Sequence, residues 1–164
     1  MKKLVNILII SLAVLTIAGI SIGIVVLNDQ SGFEKDITLS ENGNTKEELS
    51  VNLEGLYPGQ SAEYTVHFGG KSADMYDLEL SFTAGESTAL AQYILLEIEL
   101  NGESISSRNL NEYLGGETAE LPLRIDAGGE ATLVLRYSMP SEVGNEAQRL
   151  TADFTVDFTA VPRN

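Results

Sequence analysis

The stretch TADFTVDFTA, residues 151–160, decides the fold. Ala152, Phe154, Val156, Phe158 and Ala160 alternate with Thr151, Asp153, Thr155, Asp157 and Thr159. A period of two puts the first set on one side of an extended chain and the second on the other, whereas a helix would scatter both around its axis. The segment therefore reads as a strand with one dry face and one wet face.

The same period recurs toward the N-terminus. It runs through Ala62, Tyr64, Val66 and Phe68; Leu78, Leu80 and Phe82; Ile94, Leu96, Ile98 and Leu100; and Leu133, Leu135, Tyr137 and Met139. Shorter candidates are 37–39, 49–53 and 121–125. Turn chemistry separates the runs: Tyr57-Pro58-Gly59-Gln60, Gly69-Gly70-Lys71, Asn101-Gly102, Gly115-Gly116 and Ala127-Gly128-Gly129-Glu130. Asn101-Gly102 is a strong hairpin signal because both residues tolerate positive φ. The Gly128-Gly129 turn reads as a second hairpin. One helical turn is expected in 87–92 and another in 108–114, both too short to stand alone. Many short strands at this spacing predict an all-β fold, an antiparallel β-sandwich with Greek-key or jelly-roll wiring. The polar segment 34–48, whose apolar face consists of Ile37 and Leu39, is expected to be loosely held.

The first thirty residues are of another kind. Met1-Lys2-Lys3 precedes 24 residues without a charge, Leu4 to Leu27. As a helix they reach roughly 36 Å, enough to cross a hydrocarbon core of about 30 Å. Small residues in Thr16-Ile17-Ala18-Gly19 and Ser21-Ile22-Gly23 suit a signal peptidase, so cleavage is favoured over retention as an anchor. In either case the lysines stay on the cytoplasmic side and the remainder is exported. The expected organisation is an apolar helix, signal or anchor, over 1–30 and a β-sandwich domain over 31–164.

Of 164 residues, 24 are Asp or Glu and 10 are Lys or Arg, with no Cys. From Ser31 onward there are 23 acids and 8 cations, a net of −15. That excess argues against nucleic-acid binding. Without Cys there is no disulfide, thiol nucleophile or Cys-based metal site. The one histidine, His67, lies on the outward phase of a strand, which reads as a solvated side chain. A zinc hydrolase of the common type needs two imidazoles on one helical face. Ser61, Ser72 and Ser81 are near His67 in sequence, but none sits in a turn that would aim its hydroxyl. The carboxylate pairs Glu97/Glu99, Asp153/Asp157 and Asp77/Glu79 face outward as ordinary solvated charges, and nothing selects Asp74, Glu86 or Glu142 for a cleft. Asp74 with Asp77 is too sparse for a calcium loop. No catalytic residue, metal ligand or cofactor site is indicated.

Two strings are familiar. LSVNLEGLYPGQSAEYTVHF from Leu49 and MPSEVGNEAQRLTADFTVDFTAV from Met139 resemble the TasA/camelysin family of exported matrix proteins of Gram-positive bacteria. Leu53, Leu56, Pro58, Gly59 and Gln60 match the first motif of that family, and Gly144, Asn145 and Gln148 the second. Arg149 stands where Gly is usual. Leu27-Asn28-Asp29 is similar to the aromatic-Asn-Asp that a dedicated signal peptidase recognises in the family.

The resemblance implies a jelly-roll subunit displayed at the cell surface or secreted. Such subunits assemble with themselves or with related subunits into biofilm matrix fibres. An exposed sheet edge offers unpaired backbone groups to another chain. The segment holding Phe33, Ile37 and Leu39 is the expected donated strand. Two rival readings remain: a secreted neutral metallopeptidase, on the camelysin label alone, and a membrane-anchored adhesion or ligand-binding sandwich acting through its loops.

Overall fold

The computed structural model describes residues 20–21, 32–40, 43–70, 75–115, 123–126, 128 and 130–163. The apolar helix expected over 1–30 lies outside these residues, apart from Ile20–Ser21, which form a two-residue strand, β1. The other strands are β2 (Phe33–Thr38), β3 (Thr45–Leu53), β4 (Ser61–Gly69), β5 (Met75–Ala84), β6 (Leu95–Leu100), β7 (Glu103–Asn109), β8 (Leu123–Ile125), β9 (Ala131–Ser138) and β10 (Ala152–Arg163). They form two five-stranded sheets, in the orders β1-β3-β10-β5-β8 and β2-β4-β9-β6-β7. The protein is an all-β sandwich.

The dry faces read from the sequence are the ones buried between the sheets. Ala152, Phe154, Val156, Phe158 and Ala160 of β10 are at most 3% exposed, as are Ala62, Tyr64, Val66 and Phe68 of β4. Each large side chain removed from water contributes about 1.5–3 kcal/mol. β10 lies between two antiparallel neighbours, with Ala152 opposite Leu53 of β3 and Arg163 opposite Met75 of β5. The layers meet through rings: Tyr137 on Phe154 at 5.5 Å between centroids, and Phe68 on Phe158 at 6.2 Å.

Asn101 (φ 54) and Gly102 (φ 81) make the tight β6–β7 hairpin with the positive φ angles expected of that dipeptide. Gly128 (φ 108) is not a hairpin turn. β8 pairs with β5 in one sheet and β9 with β4 and β6 in the other, so the chain crosses between the layers there. Glycine-rich composition marks a reversal without specifying whether it joins neighbours in a sheet or steps across the core. The segment 34–48 is not loose where it is described. It supplies β2, paired in parallel with β4, and the start of β3, paired with β10. β7, with Ile105 as its one large apolar residue, is a strand that alternation did not reveal.

The two helical turns expected from the sequence correspond to a 3-10 turn at Ala91–Tyr93 and a helix, α1 (Leu110–Leu114), capped by Asn109, whose side chain accepts from the Asn111 N–H at 2.9 Å. α1 covers β5 through Tyr113, whose ring lies 5.0 Å from that of Phe82.

Two backbone positions generate predictions. A Cβ on Gly85 would lie 2.7 Å from the Asp153 carbonyl oxygen, so Gly85→Ala is expected to cost about 1–3 kcal/mol in denaturant unfolding. Arg149 sits at φ 68, where an L side chain is strained, so Arg149→Gly is expected to raise stability by about 1 kcal/mol in the same measurement.

Candidate functional site

The residues expected to be donated lie along one side of the sandwich. β2 runs parallel to β4, with Phe33 opposite Tyr64 and Thr38 opposite Gly69. The ladder continues through the Leu39 N–H, which donates to the Gly69 carbonyl at 2.8 Å. β1 lies parallel to β3, with Ile20 beside Glu48 and Ser21 beside Leu49. The N-terminal part of the chain therefore provides the outer strand of both sheets on the same side.

Phe33, Ile37 and Leu39 all turn inward. Ile37 and Leu39 are 4% and 3% exposed, and Phe33 is half-buried on the ring of Tyr64, 5.6 Å away. Tyr64 in turn stacks edge-on against Tyr137 at 5.6 Å, and Tyr137 contacts Phe154. A chain of four rings thus joins β2, at the rim, to β10, at the centre of the opposite sheet. The main chain following β2 is held as well, since the Tyr76 hydroxyl donates to the Ser40 carbonyl at 2.9 Å.

Lys35 holds the remaining inward position. Its Nζ donates to Glu47 Oε2 at 2.9 Å and to the Glu48 carbonyl at 3.0 Å, both on β3. The Lys35 side chain is 9% exposed. The ammonium bridges the rims of the two sheets and shuts the slot between them. Lys35 escaped the sequence reading because a cation in the apolar phase broke the alternation; the neighbouring Phe33 and Ile37, two residues away on each side, were the signal available.

The loop and turn motifs flank the opposite end of β4. Leu53 and Leu56 are buried, and Tyr57-Pro58-Gly59-Gln60 forms a turn in which the Gln60 N–H donates to the Tyr57 carbonyl at 3.0 Å. Gly59 has φ 83, which fits the third position of a type II turn after Pro58. The Gly59 N–H donates to the Met139 carbonyl at 2.8 Å. Gly144 precedes a 3-10 turn at Asn145–Ala147, and Gln148 Nε2 donates to Asn145 Oδ1 at 2.8 Å. These contacts shape connections between layers and do not converge on β2.

The polar candidates are spread over the outer faces. His67 projects outward beside Asp36, with Nδ1 3.2 Å from Thr132 Oγ1. An open hollow of about 800 Å³ is lined there by Asp36, His67, Glu130 and Thr132. Ser81 is on the other sheet, Ser61 opens β4 at the far end of that strand from Gly69, and Ser72 lies outside the described residues. Glu97 and Glu99, together with Glu63, surround Arg136 at 3.1–3.2 Å. Those carboxylates raise the pKa of the guanidinium above its ordinary value, the hydrogen bonds it donates to Glu63 being the largest effect. Asp77 pairs with Arg163 at 2.6 Å and lies 4.0 Å from Arg124, while Asp74 is outside the described residues. Glu86 and Glu142 are exposed. Among the described residues, no three His, Asp or Glu side chains stand close enough to hold a metal ion.

No protein-family model matches the chain, and no curated protein matches it. Twelve chains of known structure do. A mutant of PliG-Ec, a periplasmic inhibitor of g-type lysozyme from Escherichia coli, is 11% identical, with 79% of this chain and 99% of that one covered and a TM-score of 0.39. PliG of Aeromonas hydrophila, also a periplasmic inhibitor of g-type lysozyme, is 6% identical with the same coverage and a TM-score of 0.40. The CUB1-EGF-CUB2 domains of rat MASP-1 are 11% identical, with 80% of this chain and 44% of that one covered, at a TM-score of 0.37. No functional conclusion rests on these likenesses.

The ring chain has a pH signature. Burial pushes the Tyr64 phenol up to about 12 and that of Tyr137 well above its ordinary range. The folded protein then keeps protons that the unfolded chain releases near pH 10.0, so stability is fully present below that pH and falls as pH rises through about 12. The Tyr137 hydroxyl is buried with no hydrogen-bond partner among the described residues. Tyr137→Phe is expected to flatten the alkaline fall and to add about 1 kcal/mol at neutral pH, measured by thermal unfolding across that range.

Proposed function

We propose that this chain is an exported structural subunit of an extracellular matrix fibre, in the manner of the TasA/camelysin proteins, and that subunits join head to tail by exchanging β2. The observation that carries this reading is the placement of β2. Among the described residues it is an edge strand whose strand partner is β4 alone, and it fills the rim with side chains that reach the core. A groove that fits the chain's own strand fits the same strand from another copy equally well. Such a contact is heterologous and propagates without closing.

The wiring supports a jelly-roll body. The orders β3-β10-β5-β8 and β4-β9-β6-β7, antiparallel throughout, face one another, and among the connections from β3 to β10 only the β6–β7 hairpin stays within a sheet. β1 and β2, both parallel to their neighbours, stand outside that body as additions. Their removal would leave β3 and β4 as two adjoining rims able to receive a strand. The apolar leader supports a subunit at the cell surface or outside the cell, with a signal peptidase as its processing partner.

The chain has no cysteine, so a disulfide lock is clean. Glu34 and Thr65 lie opposite one another on the β2–β4 ladder and face outward. The variant Glu34→Cys/Thr65→Cys, oxidised as a monomer, is expected to stay monomeric in sedimentation and to polymerise once reduced; polymers from the locked monomer would reject strand exchange. Polymerisation of the wild-type chain is expected to increase with salt. The repulsion from a net of −15 beyond Ser31 is screened as the Debye length falls from about 30 Å at 0.01 M to about 3 Å at 1 M. Light scattering that stays flat over that range would count against it.

A further inference from the structure

The inward lysine deepens the fibre reading, and the role assigned to it here rests on that reading. Lys35 is an inefficient way to add stability. The pair is part-buried, with the Lys35 side chain 9% and the Glu47 side chain 29% exposed, so its attraction is largely offset by desolvation, whereas a like-charged pair in the same place is unfavourable. Such a pair selects what binds. In β2 it sits between Phe33 and Ile37, all three on the inward phase. Sliding the strand by two residues would set Phe33 or Ile37 against the Glu47 carboxylate, and sliding it by one would turn the entire apolar set outward.

We propose that Glu47 and the Glu48 carbonyl form a lysine socket on the acceptor rim of the subunit junction. The socket admits the Phe33–Thr38 strand of a second copy of this chain, in one register. The partner is recognised as an aromatic-x-Lys-x-Ile strand laid parallel to β4. Phe33 packs on Tyr64, Ile37 enters the core and the Lys35 ammonium closes on Glu47. Edge strands with an acid or an aliphatic residue at the central position are refused, which matters for an acidic protein crowded among other exported chains.

Charge reversal separates contacts between subunits from contacts within one. K35E sets Glu against Glu47, and E47K sets Lys35 against Lys, both in the monomer and in a homopolymer. In an equimolar mixture every junction is complementary: the K35E chain donates Glu to Lys at position 47 of its neighbour, and the E47K chain donates Lys35 to an intact Glu47. The mature chains, as purified from culture, are expected to raise the concentration needed for polymers at least about tenfold in each variant alone. Mixing should restore polymers in which the two variants alternate, seen by co-sedimentation of differently labelled chains.

The double variant K35E/E47K guards against misfolding of the single variants. It should polymerise alone near the wild-type concentration. When mixed with wild type it should sort into separate fibres, because both mixed junctions carry like charges. Single variants that polymerise as wild type does, mixtures that stay monomeric, or wild-type and double-variant chains found in the same fibres would each overturn the socket. A wild-type chain that never polymerises would instead overturn the fibre reading itself.

Discussion

The structure depends on the need of β10 to have its dry face covered. It has neighbours on both sides along most of its length, and its inward residues cannot be shielded by β3 and β5, which lie in its own plane. Only a second layer can do that. The layer is built on β4 and β9, and it meets β10 through aromatic rings that span the space between the sheets. Once this contact exists, the outer faces are free of structural duty. They carry the acidity of the chain, tempered locally where Arg136 gathers three carboxylates.

A two-layer body has two open sides, and this chain treats them differently. On one side α1 packs over β5 and places Tyr113 against Phe82. On the other, the closure comes from strands that precede the body in sequence and run parallel to their partners. Parallel pairing cannot arise from a hairpin, so these strands are joined to their partners by no tight turn. Each is held by its backbone ladder, and β2 in addition by the side chains of Phe33, Lys35 and Ile37. That arrangement makes the rim separable from the body in a way that the hairpin-linked β7 is not.

Much of this was legible in the residues, and the gaps have physical causes. The strands β4, β6, β9 and β10 are flanked on both sides within their sheets, and each shows clean alternation because one face is always dry and the other always wet. β7 lies at a rim, so neither face must be apolar, and ESISSRN shows no pattern. β2 is hidden for a different reason: its alternation is intact in space, but one apolar slot holds a lysine whose charge is answered by a residue twelve positions later. A reading by periodicity sees the lysine and not the answer. The Gly128 turn was misread because turn chemistry is local, and which layer receives the next strand is settled by distant pairings. Of the candidate rim, Phe33, Ile37 and Leu39 stand out in the sequence as an apolar set; the pairing of Lys35 with Glu47 beside them does not.

The pairing of β10 with β3 bears on when this chain can fold. Leu53 waits for Ala152, about a hundred residues further on, and the central position in that sheet stays vacant until the last strand has been synthesised. Contacts so distant in sequence form slowly and late. An incomplete chain has no finished core to collapse onto, so it stays threadable while it is being made. Passage through a narrow translocation channel, which the export proposed for this chain would require, demands just that.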